Sequence, residues 1–202
     1  MSDRPYHHGD LRRAILAAAL DVIAADGPSG LSLRDLARRA GVSHAAPAHH
    51  FRDRTGLLTA IAAEGHGLLA ATLAEATDLR DAGAHYVRFA RAHPAHFQVM
   101  FSPELLRADD LELTTARGLS TAALTNAIAT GATPGDAGAS GGGDAGASGG
   151  GDTDARPTRI AVWSLAHGFA TLLLSHNLDG LLGDDDPEEV FRRLPMGLFP
   201  SG

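Results

Sequence analysis

The chain has no cysteine, so disulfide frameworks and thiolate-ligated metals are excluded. It has no lysine either: all 17 basic residues are arginine. Aromatics are sparse, with one Trp, two Tyr and seven Phe. No charged–apolar–cleavage pattern opens the chain. The longest apolar run, Ala161 to Leu174, is interrupted by Ser164 and His167 and is too short to span a bilayer. These features predict a soluble, cytoplasmic protein. No nucleophile–base pairing, Gly-rich phosphate loop after a strand, or suitably spaced carboxylate pair is present, so an enzyme is not expected. His93 and His96 have a spacing that suits a metal, but Pro94 breaks the helix between them and no third ligand accompanies them. No metal and no cofactor are expected.

The densest signal lies between Ser32 and Phe51, SLRDLARRAGVSHAAPAHHF. Ser32 can cap a helix from about Leu33 to Ala40, with Leu31 placed as a hydrophobic staple. Gly41 supplies the positive φ needed to leave that helix, and Val42 plugs the gap between helices. Ser43 is expected to cap a second helix over about 44–51. Upstream, Leu11, Ile15, Ala19, Val22 and Ile23 share one face of a helix over about 10–26 that ends at Asp26-Gly27. Downstream, Leu57, Leu58 and Ile61 continue at helical spacing over about 54–76. Two helices joined by a tight turn on such a scaffold form a helix-turn-helix, whose second helix enters the major groove of duplex DNA.

The formal net charge of −7 opposes DNA binding only when taken as a whole. Residues 1–66 hold eight Arg against seven acids, a balance of +1, and the remainder holds nine Arg against seventeen acids, a balance of −8. The negative charge therefore lies away from the reading unit, and a local basic face is what attracts phosphate.

Further helices are expected over Ala84–Ala92, Ala95–Phe101, Asp109–Ala129 and Pro157–His176, with a short last one over Glu188–Leu194. The segment of about 131–157 carries GDAGASGG twice, from Gly135 and from Gly143, and no large apolar side chain. It reads as a disordered Gly/Ala/Asp-rich insertion. The helix around Trp163 is apolar nearly all round and so needs burial on more than one side. A second copy of the chain would supply the other side. Asp184-Asp185-Asp186 reads as a solvated loop.

The motifs LSLRDLA, AGVS and HHFRDR, with AAL and ADG upstream, resemble the TetR family of transcriptional regulators. Tyr6 to Arg12, and Trp163 with His167-Gly168, resemble a subgroup with a WHG-type C-terminal domain. The resemblance implies an all-α fold. It would comprise a flexible arm (1–9), a three-helix helix-turn-helix DNA-binding domain (10–66) and a C-terminal helical ligand-binding and dimerisation domain (67–202). It also implies a homodimeric, ligand-released repressor on a palindromic operator. The expected partners are double-stranded DNA, a second copy of the chain and a small-molecule effector. The residues expected at DNA are Ser32, Arg34, Ser43, His44, Ala45, Ala46, Ala48, His49, His50 and Arg54, with Arg52 a further phosphate candidate. Ala48 stands where relatives carry an aromatic, often Tyr, that touches phosphate. That departure motivates an alternative, a dimeric small-molecule-binding protein with a weakened DNA face. The expected effector pocket is lined by Tyr86, Phe89, Phe97, Met100, Phe101, Trp163 and His167.

Overall fold

A computed structural model describes residues 8–131 and 155–195. Among these the fold is entirely helical, with no strand. The elements are α1 (His8–Asp26), α2 (Leu33–Arg39), α3 (Ala46–Phe51), α4 (Arg54–Ala74), α5 (Leu79–Ala92), α6 (Pro94–Met100), α7 (Leu111–Gly131), α8 (Ala155–Leu174), α9 (Asp179–Leu182) and α10 (Pro187–Arg193). Residues 1–7 of the expected arm and 132–154 of the expected insertion lie outside the described residues. Both edges assigned to these segments are helical instead: His8 and Gly9 open α1, Gly131 closes α7 and Ala155 opens α8.

The chain forms two compact units that interleave along the sequence. The first takes the residues up to Leu68 together with His93–Leu119. Its core is the apolar face of α1, with Ile15, Ala19 and Ile23 fully buried, against Leu36 of α2, Phe51 of α3 and Leu57, Leu58 and Ile61 of α4. By length and composition α4 would also cross a bilayer. Its buried Leu57, Leu58 and Ile61 instead fill this core. Gly65 lets α6 approach α4, because a methyl there would collide with the Met100 thioether.

The second unit takes Leu69–Ala92 and the residues from Ser120 onward. Here α5 packs against both α8 and α10. It begins five residues earlier than the sequence suggests, because Asp78 caps it: Asp81 N–H donates to Asp78 Oδ1 at 2.8 Å. Gly83 of α5 is in contact with the ring of Phe191 of α10, and a Cβ there would overlap it. Arg80 then closes the end of α10, donating to the carbonyls of Arg192 and Leu194 at 2.7 and 2.8 Å. The acidic run before α10 is the expected exposed loop, and its last residue also caps the helix. Asp186 Oδ1 accepts from the N–H groups of Glu188 and Glu189 at 2.9 and 3.1 Å, and Pro187 starts the helix where its missing N–H costs nothing. The Gly83–Phe191 contact and these end-caps fix the last helix against the centre of the unit.

Candidate nucleic-acid interface

The turn between α2 and α3 is built as its sequence demands. Ser32 Oγ faces the Asp35 N–H at 3.5 Å, a long capping contact, and Leu31 and Leu36 are both buried across the start of α2. At the other end Gly41 takes φ 67°. Val42 N–H reaches the Ala37 carbonyl at 2.9 Å and Gly41 N–H the Arg38 carbonyl at 3.3 Å. Those two bonds form the left-handed helix stop that glycine favours.

The start of α3 differs from expectation. Ser43 does not cap it: the helix opens at Ala46 after Ala45, with no side-chain cap, and the Ser43 backbone carbonyl accepts from Ala46 N–H at 3.0 Å. The reason is Pro47. A proline is tolerated in the first turn and costs a hydrogen bond further in, so the helix starts where Pro47 falls second. The six-residue α3 buries Pro47 and Phe51 and turns Ala48 and His49 to solvent. Ser43, His44 and Ala45 are exposed on the approach to it, and Ala46 and His50 are half-buried. His49 and His50 meet edge to face at 5.5 Å. Small side chains between imidazoles leave a surface that base edges and thymine methyls can approach closely.

Cationic side chains flank this face unevenly. Arg34 is exposed on α2. Arg38 lies 3.7 Å from Asp35 of its own helix, a solvated pair of little strength. Arg54 is half-buried and donates to the Pro28 carbonyl at 2.6 Å, which ties the start of α4 to the loop after α1. Between α3 and α4, Arg52 takes the left-handed φ of 68°, unusual for a side-chain-bearing residue.

Sequence reasoning missed the group that organises this corner. Asp53 Oδ1 accepts from Gly56 N–H at 2.9 Å and so caps α4, while Asp53 Oδ2 accepts from Arg107 at 2.7 Å. The Gly56 N–H first, and the Arg107 charge after it, hold the Asp53 carboxyl below its usual range. An acid directly before an apolar helical run was a readable cap signal. Nothing local pointed to Arg107.

The residues expected at an effector fall in both units. In the second, Tyr86 and Phe89 are buried on α5. The Tyr86 hydroxyl and His167 Nδ1 are 2.8 Å apart, and the Trp163 ring lies 5.4 Å from the His167 ring. Burial raises the Tyr86 hydroxyl and lowers the His167 imidazole, so both remain neutral near pH 7. Trp163 keeps 43 % of its surface exposed. In the first unit, Phe97 and Phe101 meet at 5.2 Å, and Met100 is buried against Gly65.

Comparison with known proteins bears on both parts. Residues 15–61 match the model of bacterial regulatory proteins of the tetR family. Residues 79–195, more than half of the chain, match the tetracyclin repressor-like C-terminal domain. The chain belongs to the TetR family. A protein of unknown function from Rhodococcus sp. RHA1 is 36 % identical, with 94 % of this chain and 93 % of that one covered and a TM-score of 0.64. A bacterial regulatory protein in the tetR family from Rhodococcus RHA1 shares the fold at 23 % identity, 91 % and 92 % coverage and a TM-score of 0.65. The TetR family transcriptional regulator PfmR from Thermus thermophilus shares it at 18 % identity, 88 % and 92 % coverage and a TM-score of 0.52. No curated protein matches. Membership of the TetR family makes the chain a transcriptional regulator whose helix-turn-helix binds DNA.

Proposed function

We propose that this regulator is a homodimeric repressor that leaves a near-palindromic operator when a small molecule binds it. The observation that carries the reading is the α2–α3 unit itself. Its turn is locked by Gly41 and its core is closed by Leu36 and Phe51, while His44, Ala45, Ala48 and His49 stay exposed. In the functional division that follows, residues 10–66 engage DNA and 67–202 hold effector and partner. His44, Ala45, Ala46, Ala48 and His49 read base edges. Ser32, Arg34, Ser43, His50 and Arg54 meet phosphates, which position the protein without reading sequence.

Dimerisation is supported by α8. Val162, Ala166 and Ala170 form its buried line. Ile160, Ala161, Ser164 and Leu172 are exposed, a surface of small and apolar residues suited to close helix packing. A dimer reading a palindrome presents two recognition helices about 34–36 Å apart along the duplex. The effector reading rests on Tyr86, Phe89, Trp163 and His167 in the second unit and on Phe97, Met100 and Phe101 in the first. A ligand that prefers the dimer with misplaced recognition helices lowers operator affinity by its differential affinity for the two states.

The test is selection of bound sites from random duplexes, followed by anisotropy titration of the selected site over a salt series. The expected result is a palindromic site bound by a dimer, with affinity falling steeply as salt rises. A screened ligand that weakens that complex completes it. Absence of any selected site would favour the weakened DNA face that Ala48 suggests.

A further inference from the structure

Beside the C-terminal end of α3, in the first unit, lies a half-open cavity of about 510 Å³. None of the residues assigned above to the effector lines it. Its lining carries both signs of charge. Arg12 of α1 and Arg52 of the α3–α4 corner line it together with Asp109, which precedes α7, and Glu112 of the first turn of α7.

Two more charged groups on the lining are already committed. Arg107 is hydrogen-bonded to Asp53 at 2.7 Å, and Asp110 caps α7 by accepting from Leu113 N–H at 3.0 Å. Arg12 and Glu112 form a loose ion pair at 3.8 Å, beyond hydrogen-bond distance, with 41 % and 68 % of their side-chain surfaces exposed, so opening it costs little. Arg12 is held from below by the Phe51 ring, 5.5 Å under its guanidinium. Leu111 stands at the rim with 80 % of its surface exposed, an apolar side chain with no place in the core.

A simple anion would face the carboxylates of α7, and a simple cation would face the arginines. A molecule carrying both charged groups on one carbon, with an apolar arm, offers a partner to each kind of group on the lining. We propose that this cavity binds a free α-amino acid with an apolar side chain. Its carboxylate inserts at Arg12 and Arg52, its ammonium at Glu112 and Asp109, and its side chain lies on Leu111. The size falls within the range of small-molecule sites. Phe51 and Arg52 end the recognition helix and its corner, so occupancy bears directly on the reading head.

The experiment is calorimetric titration of the full chain, without DNA, with L-leucine at constant ionic strength. N-acetyl-L-leucine, L-leucinamide and inorganic phosphate serve as comparison probes. Saturable binding of L-leucine is expected, weakened about tenfold or more by blocking either charged end. Arg52→Gln and Glu112→Gln, which remove one charge of each sign from the lining at exposed positions, are each expected to weaken it similarly while the helical circular dichroism is unchanged. Leu181→Ala, exposed and outside the lining, is expected to leave it unaltered. The proposal is overturned by no binding of L-leucine at millimolar concentration, by equal binding of an end-blocked probe or of phosphate, or by full binding in both charge variants. Because DNA is absent, failure here leaves the repressor reading standing, and failure of operator selection leaves this site standing.

Discussion

Arg107 donates to Asp53 at 2.7 Å across 54 residues of chain, and the same carboxylate caps α4 through Gly56. Arg107 is fixed from its other end as well, since its backbone N–H donates at 3.0 Å to the buried Thr59 hydroxyl. The loop before α7 therefore braces the corner from which α3 projects. Asp53→Ala removes cap and brace together and is expected to cost about 1 kcal/mol of unfolding free energy. Asp53→Asn keeps the cap acceptor and loses only a half-exposed ion pair, worth well under about 1 kcal/mol. Urea titrations of the two variants check the order. Because the folded Asp53 carboxyl lies below its usual range, its contribution is complete above the ordinary carboxylate range and fades as pH falls through the folded value. The Asn variant should lack that acid-side loss. Arg107→Ala is expected to weaken operator binding a few-fold with little change in stability.

His66 is buried on α4, and its ring meets Phe101 edge to face. Burial first, and the Arg117 charge second, lower its pKa to about 4. The unfolded chain then binds a proton more readily than the folded one between the ordinary histidine value and 4. Stability must therefore rise with pH across that window and be lost on acidification. From pH 7 to pH 5 the expected loss from this residue is about 1–2 kcal/mol. Denaturant titrations of the wild type and His66→Gln at both pH values check it, the variant showing the smaller loss.

Gly83 touches Phe191, and neither has room to yield: Phe191 is 1 % exposed and α5 is buried along most of its length. Gly83→Ala is expected to lower stability by about 1–3 kcal/mol, even though alanine is the better helix former. Phe191→Ala should cost about 3–5 kcal/mol by leaving a cavity. A thermal melt that rises for Gly83→Ala would show that α10 does not pack as described.

Where a structural cause was local, the sequence displayed it. Ser32, Gly41 and the apolar face of α1 act within a few residues of themselves, and the helix-turn-helix follows from them. Pro47 was visible too, but its meaning depended on where α3 begins. A helix opening at Ala46 puts it in the first turn, where proline is ordinary. Asp78 and Asp186 are caps whose partners lie two or three residues on, so both are legible in the local sequence. Arg107 at Asp53 and Arg80 at the end of α10 were not, because each joins segments more than fifty residues apart and no periodicity encodes such a meeting. The half-exposure of Trp163 was hidden for a related reason: an apolar helix does not reveal which of its faces the same chain will cover.

The uncovered side of α8 leads to the sharpest test of assembly. Ile160 and Leu172 are 55 % and 45 % exposed, and the residues between them on that side, Ala161 and Ser164, are too small to shield them. Replacing Leu172 by Glu does not disturb the line of Val162, Ala166 and Ala170 that packs inside the unit, so the fold should survive. Buried in a symmetric contact, however, the new carboxylate would meet its own copy across the two-fold axis, and two unpaired charges out of water cost more than the contact gains. Leu172→Glu is therefore expected to sediment as a monomer with native helical content. It should also lose most operator affinity, because one recognition helix alone touches half the site. A dimeric Leu172→Glu protein would move the subunit contact to another face.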